Sequence, residues 1–236
     1  MTLTLLQGDC LEIMRDLKAE SIDGIITDPP YSSRTHGAYR EMEEVGRRAI
    51  TYACWGREEI REFIEAWSPR CSGWMVALTD DVLVPVWREE YERAGRYAFA
   101  PLACVEPGSR VRISGDGPSQ WSVFAMVARP ATREMQRWGA LRGAYVLNYQ
   151  HTRRGAGEGG GVMGGKPVAL MRHLIDDYSR PGDLICDPCA GGGTTLIAAA
   201  IEGRRAVGAE MDPKTYELAR KRFARGYTPT MFGGAA

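Results

Sequence analysis

The residues most suited to chemistry are Asp28-Pro29-Pro30-Tyr31. Two consecutive prolines remove two N–H donors and lock φ twice, so the tetrapeptide is stiff. It presents the Asp28 carboxylate and the Pro29 carbonyl as fixed acceptors, with an aromatic ring beside them. Acceptors next to a stacking platform suit a flat ligand carrying an –NH2 group. A second segment, Asp187-Pro188-Cys189-Ala190-Gly191-Gly192-Gly193-Thr194-Thr195, places glycines where a strand gives way to a helix. There a ligand can approach the backbone closely, and the helix N-terminus favours an anionic group. Alone, this turn would serve a nicotinamide cofactor or a phosphate nearly as well, or be merely a tight turn. It matches neither G-x-G-x-x-G nor G-x-x-x-x-G-K-S/T. A third residue, Glu210, lies roughly 20 positions past the glycines, the spacing at which a carboxylate hydrogen-bonds ribose hydroxyls. Taken with the glycine turn, it points to an adenosine-containing cofactor.

These residues must be positioned by elements that the hydrophobic pattern outlines. Strands are expected over residues 3–7, 23–27, 74–78, 98–105, 121–128, 183–186 and 205–209, and helices over 11–17, 57–67, 84–94, 167–178, 194–202 and 213–224. Alternating strands and helices imply an α/β, doubly wound sheet of about seven strands. Such sheets bind ligands beyond the carboxyl ends of their strands, where all three chemical segments fall. Residues 32–55 have no clean period and are expected to form a loop, in which Arg34, His36, Tyr39 and Arg40 are candidates to close over a substrate. The tail 227–236 is expected to fray.

Hydrophobic residues make up 44% and charged residues 25% of the 236-residue chain, values suited to one domain with a real core. No apolar run has the roughly 18 residues of a membrane helix. The N-terminus lacks a basic leader and meets charge by Asp9, which excludes a signal peptide and points to the cytoplasm. The six cysteines are then expected to be reduced. Cys186 and Cys189 form a C-x-x-C that redox or zinc chemistry could use, but no second pair or histidine completes a metal site, so no metal is expected. Net charge is zero, so basic character is local. Arg129, Arg133, Arg137, Arg142, Arg153, Arg154 and Lys166 face only Glu134 and Glu158 across residues 129–166.

The tetrapeptide resembles the Asp/Asn/Ser-Pro-Pro-aromatic motif of the DNA amino-methyltransferases. Asp in first position is typical of the N6-adenine enzymes, and Ser is commoner in the N4-cytosine enzymes. The family's glycine motif, often D-P-F-x-G-x-G-T-T, is similar to residues 187–195, with Cys189 replacing the aromatic. Gln7-Gly8-Asp9-Cys10 resembles the contact with the cofactor's adenine, with Asp9 accepting from its amino group and the Cys10 amide donating to its ring. Lys166-Pro167 resembles the end of an H-P-T-Q-K-P motif beside the methionine moiety, although Val162-Met163-Gly164-Gly165 replaces its first four residues. The order of motifs is that of the circularly permuted β class, whose members often form homodimers.

The resemblance implies a mostly parallel, Rossmann-like methyltransferase sheet, circularly permuted, with a catalytic domain over residues 1–128 and 166–226 and a small recognition insertion over 129–165. It implies S-adenosylmethionine as cofactor and double-stranded DNA as partner, in the cytoplasm of a prokaryotic or phage-infected cell. Asp28, Pro29, Pro30 and Tyr31 are the expected catalytic residues. Asp9, Cys10, Asp28, Lys166, Asp187, Pro188, Cys189, Ala190, Gly191, Gly193, Thr194, Thr195, Glu210 and Met211 are expected at the cofactor. Arg133, Arg137, Arg142, Arg153 and Arg154 are the candidates for DNA contact, with Trp138 among them. Two rivals remain: a nicotinamide-dependent oxidoreductase, which leaves Asp28-Pro-Pro-Tyr31 unexplained, and a binding protein that keeps the fold without turnover.

Overall fold

The computed structural model describes residues 2–13, 15–35, 53–108, 118–131, 138–147 and 165–225. Their strands are β1 (Leu3–Gln7), β2 (Ile22–Thr27), β3 (Cys71–Thr79), β4 (Arg96–Ala98), β5 (Leu102–Val105), β6 (Ser122–Pro130), β7 (Ala144–Val146), β8 (Leu184–Asp187) and β9 (Arg205–Glu210). The helices are α1 (Cys10–Ile13), α2 (Arg57–Trp67), α3 (Val84–Arg93), α4 (Val168–Tyr178), α5 (Thr194–Ile201) and α6 (Pro213–Ala224), with a 3-10 turn at Ser68–Arg70. All nine strands join one sheet, in the order β1-β9-β8-β2-β3-β6-β5-β7, with β4 also paired to β6. Only β6 runs against its neighbours β3, β4 and β5; every other pairing is parallel.

The central strands are apolar because both faces of the sheet are covered. Successive side chains point to opposite faces, so Ile26 joins the core beneath α4 and α5 and Ile25 the core beneath α2 and α3; an irregular register between Ile22 and Gly24 turns Ile22 to the same side as Ile25. Helix α2 buries Ile60, Phe63, Ile64 and Trp67, the i, i+3, i+4, i+7 stripe of an amphipathic helix. Glu59 accepts from the Gly56 amide at its start (2.8 Å).

Two expectations about strands need correction. The strand expected over 98–105 is two. Ala98 pairs with Ala128 and Leu102 with Ala125, so three residues oppose two on β6, and Pro101 in that bulge has no N–H for the ladder. Strand β7 lies inside the expected insertion. It pairs with β5 and buries Tyr145, so residues 144–146 belong to the main sheet. The count among the described residues is therefore nine strands.

Strands β8 and β2 are neighbours, yet the chain leaves them in opposite directions, toward β9 and toward β3. This divergence opens a crevice at their carboxyl ends. Gly193, at the N-cap of α5, has φ +74°, and a Cβ there would sit 2.3 Å from the Phe223 ring of α6. Gly193→Ala is expected to cost about 3 kcal/mol from overpacking and backbone strain. Thermal melting should show Tm lowered by roughly 6–12 °C; an unchanged Tm would mean that the ring is not seated there.

Candidate active site

The crevice holds a cavity of about 340 Å³, within the range of small-molecule sites. Four strand ends line it: Gly8, Asp9 and Cys10 after β1, Asp28 and Pro30 after β2, Asp187 to Gly192 after β8, and Ala209, Glu210 and Met211 around the end of β9. Thr194 and Thr195 enter from α5, and Gly165 and Lys166 from the approach to α4. Of the expected cofactor residues, only Gly193 is not on the wall; it packs against α6 instead.

The glycine turn is fixed from three sides. Ala190 donates its amide to the Ala209 carbonyl (2.8 Å), Gly193 to that of Ala190 (2.8 Å), and Arg222 reaches the Gly192 carbonyl (2.9 Å). Gly191 adopts φ +51°, and a Cβ there would meet no protein atom within 4 Å. The wall is thus cut back where a ligand would lie against the backbone. Asp9 accepts from the Leu11 amide (2.8 Å), which opens α1. Glu210 accepts from the Asp212 amide (2.7 Å), and burial raises its carboxyl above the usual range.

Asp187 and Thr27 join the two halves of the crevice. The Thr27 hydroxyl donates to Asp187 Oδ1 (2.7 Å), which also accepts from the Cys189 amide (3.1 Å). Asp187 is buried, and desolvation raises its pKa to about 6 although Thr195 and Thr27 hydrogen-bond it. The folded state therefore binds this proton more tightly than the unfolded chain, and stability falls as pH rises from about 4 to about 6. Asn can keep both bonds to Oδ1 without the charge. Asp187→Asn is expected to reduce the stability lost between pH 4 and pH 7 by roughly 3 kcal/mol relative to the parent. Urea titrations at the two pH values test this, and parallel behaviour of the two proteins would contradict it.

On the other half, the Asp28 carboxylate is clamped. Lys166 Nζ donates to Oδ2 (2.8 Å) and the Tyr31 hydroxyl to Oδ1 (2.8 Å). Lys166 Nζ also lies 4.9 Å from the Tyr31 ring centroid. Tyr31 was expected to offer a free stacking face; here it is buried, its hydroxyl drawn to Asp28, and neither it nor Pro29 lines the cavity. Asp80, after β3, holds the chain leaving the tetrapeptide by accepting from the Ser32 amide (3.0 Å) and the Thr35 hydroxyl (2.6 Å). The Trp55 amide returns to the Tyr31 carbonyl (3.0 Å).

Sequence reasoning missed Trp55, Glu59, Glu62, Phe63 and Met171 on the wall. Phe63 and Met171 read as ordinary core positions of helices. Asp80 gave no signal of this role, because Ser32 and Thr35 lie more than forty residues away and only its bond from the Leu83 amide is local.

The basic stretch fares differently. Arg133, Arg137, Arg153 and Arg154 lie outside the described residues, as do His36, Tyr39 and Arg40. Arg34 is exposed in the stretch that leaves Ser32. Arg142 is bound to Asp177 and lies 3.9 Å from Asp176, at the C-terminal end of α4. Arg129 sits over the Tyr97 and Phe99 rings, and Arg180 lies 3.7 Å from the ring centroid of Trp138, which packs on Trp74. The register puts Arg129, with Tyr97 beside it, level with Trp74 of β3, five residues back along the strand from Thr79 and off the cavity wall. Arg142 and Arg129 thus brace the fold.

Comparison with known proteins followed this geometry. A family model described as DNA methylase matches residues 134–221. The chain is 37% identical over 254 residues to the DNA adenine methyltransferase YhdJ of Escherichia coli K12, covering 93% of this chain and 82% of that protein. Among solved structures, the M1.HpyAVI–SAM complex superposes with TM-score 0.68 at 22% identity, covering 93% of this chain and 98% of the other. The cytosine-N4-specific PvuII DNA methyltransferase superposes with TM-score 0.65 at 15% identity, covering 97% and 89%.

Proposed function

Because the chain belongs to the N6/N4 DNA methylase family, we propose that it methylates the N6 amine of adenine in double-stranded DNA, using S-adenosylmethionine. The observation that carries this reading is a single cavity walled by the Asp28 carboxylate on one side and by Gly191 and Glu210 on the other.

The residues present fit the cofactor. The space against Gly191 admits a ligand at the backbone, and Glu210 is a half-buried acceptor at the strand end where a ribose is held. Glu210 would accept from the ribose hydroxyls, Asp9 from the adenine amino group, and the Cys10 amide would donate to the adenine ring. The turn from Asp187 to Thr195 would hold the methionine moiety. When bound, S-adenosylmethionine supplies a methyl group already activated on a sulfonium.

The remaining task is to make a poor nucleophile react, because the lone pair of an aromatic amine is delocalised into its ring. Asp28 accepts from the amine N–H groups, pulls the nitrogen toward sp³ geometry and stabilises the positive charge that develops on it; the Pro29 carbonyl, which is off the cavity wall, shares that role only where the base reaches beyond the wall. Lys166 and Tyr31 hold the Asp28 carboxylate in place before the base arrives. Inside a duplex the amine is out of reach, so the base must leave the stack at a cost of a few kcal/mol. A ring at Tyr31 that meets the flipped base would first have to leave its buried position. Phosphate contacts fall to basic side chains other than Arg142 and Arg129, with Arg133, Arg137, Arg153 and Arg154 as candidates.

The motif order supports the permuted β class and, with it, a homodimer. The strands carrying the cofactor residues, β8, β9 and β1, adjoin β2 and β3 through β8. Cytosine N4 is the second reading, favoured by the likeness to the cytosine-N4-specific structure; Asp rather than Ser at position 28 favours adenine. Sequencing DNA from expressing cells with modification-sensitive reads tests both. N6-methyladenine at a defined site is expected, N4-methylcytosine alone would replace the first reading with the second, and unmodified DNA would remove both.

A further inference from the structure

Two thiols share the wall of the cofactor cavity. Cys10 follows β1 and Cys189 follows β8, the two strands that flank β9. Both are half-buried, both line the cavity, and both are free thiols. The Cys189 thiol is within hydrogen-bond reach of Cys10. We propose that Cys10 and Cys189 form an oxidisable dithiol whose disulfide ties the β1 wall of the pocket to the β8 wall and excludes the cofactor. The identity of the excluded ligand rests on the function proposed above; the dithiol does not.

The two sulfurs have different environments. Contact with Cys10, burial and the neighbouring Asp187 carboxylate all push the Cys189 thiol up. Cys10, on the cavity wall, makes the first attack as its thiolate, the nucleophilic form. With a peroxide as oxidant, the Cys10 thiolate attacks one peroxide oxygen, the O–O bond breaks, and Cys10 becomes a sulfenic acid as the other oxygen leaves and takes a proton. The Cys189 sulfur then attacks the Cys10 sulfur. An S–S bond forms, the S–OH bond breaks, and the Cys189 proton leaves with the hydroxide as water. Two thiols and one hydrogen peroxide give one disulfide and two waters. A thiol reductant reverses the outcome.

The other cysteines provide controls. Cys71, Cys104 and Cys186 are buried. Cys54 is half-buried like the pair but does not line the cavity.

The test treats the whole chain with hydrogen peroxide, blocks remaining thiols with a maleimide, and maps the peptides by mass spectrometry. Cofactor affinity is measured by calorimetry on reduced, oxidised and re-reduced protein. A Cys10–Cys189 cross-linked peptide is expected, with affinity reduced tenfold or more and restored by reductant. Bound S-adenosylmethionine is expected to protect Cys10 from alkylation and leave Cys54 unprotected. In Cys189→Ser, dimedone is expected to trap a sulfenic acid at Cys10. Absence of the cross-link while Cys54 is oxidised overturns the dithiol, and a cross-linked protein that binds cofactor as well as the reduced one overturns its effect on the pocket. Reduced protein that fails to bind S-adenosylmethionine refutes the proposed function instead.

Discussion

Asp28→Ala is expected to slow methyl transfer by about a thousandfold while cofactor affinity changes little. The carboxylate lies at the carboxyl end of β2, on the half of the crevice opposite Glu210 and Gly191. Its role is to meet charge that appears on the amine only as the reaction proceeds, and removing one such preorganised group typically costs about 10²–10³ in rate. Single-turnover transfer of labelled methyl to duplex DNA measures the loss, and calorimetry the affinity. Asp28→Asn sharpens the test. It keeps an acceptor oxygen but removes the charge that balances Lys166, whose ammonium is largely buried at 2.8 Å. A large loss in Asn as well as Ala shows that charge matters beyond hydrogen bonding. Turnover comparable to the parent in both would remove Asp28 from the chemistry.

Glu210→Ala is expected to act on binding instead, weakening S-adenosylmethionine by roughly 10–100-fold, the size of a lost hydrogen bond to a charged acceptor. Turnover at saturating cofactor should fall far less, because the ribose is remote from the reacting nitrogen. Glu210 also carries a pH signature. Its carboxyl titrates above the usual range because it is buried, and protonation removes an acceptor. Affinity should therefore fall on acidification earlier than an ordinary carboxylate would allow, and Glu210→Ala should lose that part of the pH dependence. Calorimetry over a pH series that starts in the ordinary carboxylate range, about pH 4, and ends at neutrality reads the transition. Unchanged affinity in the variant would refute the ribose assignment.

Both predictions rest on residues that stood out in the chain before any fold was known, because their signal is local. Asp28-Pro-Pro-Tyr31, the glycine turn and Glu210 each combine residue types with the end of an apolar run, and a doubly wound sheet gathers such ends together. Helices α2 and α6 were legible to the residue, since Gly56 and Asp212 mark their starts and an amphipathic stripe or a proline follows. What stayed hidden depends on distant partners. Lys166 reaches Asp28 across 138 residues, and only the sheet brings them together. Arg142 looked like a nucleic-acid contact because its neighbours in sequence are basic, whereas its neighbours in space are Asp176 and Asp177. Strand β7 has three residues in a stretch of arginines and glycines, too short to show alternation, and it owes its existence to the free edge of β5.

The position of Tyr97 has a practical corollary. Tyr97 is half exposed in the middle of β4, roughly 17 Å along the sheet from the Thr79 end of β3. Tyr97 is not on the wall of the crevice, so a label attached at this edge of the sheet would stand clear of the cavity, provided the ring contacts with Phe99 and Arg129 are kept.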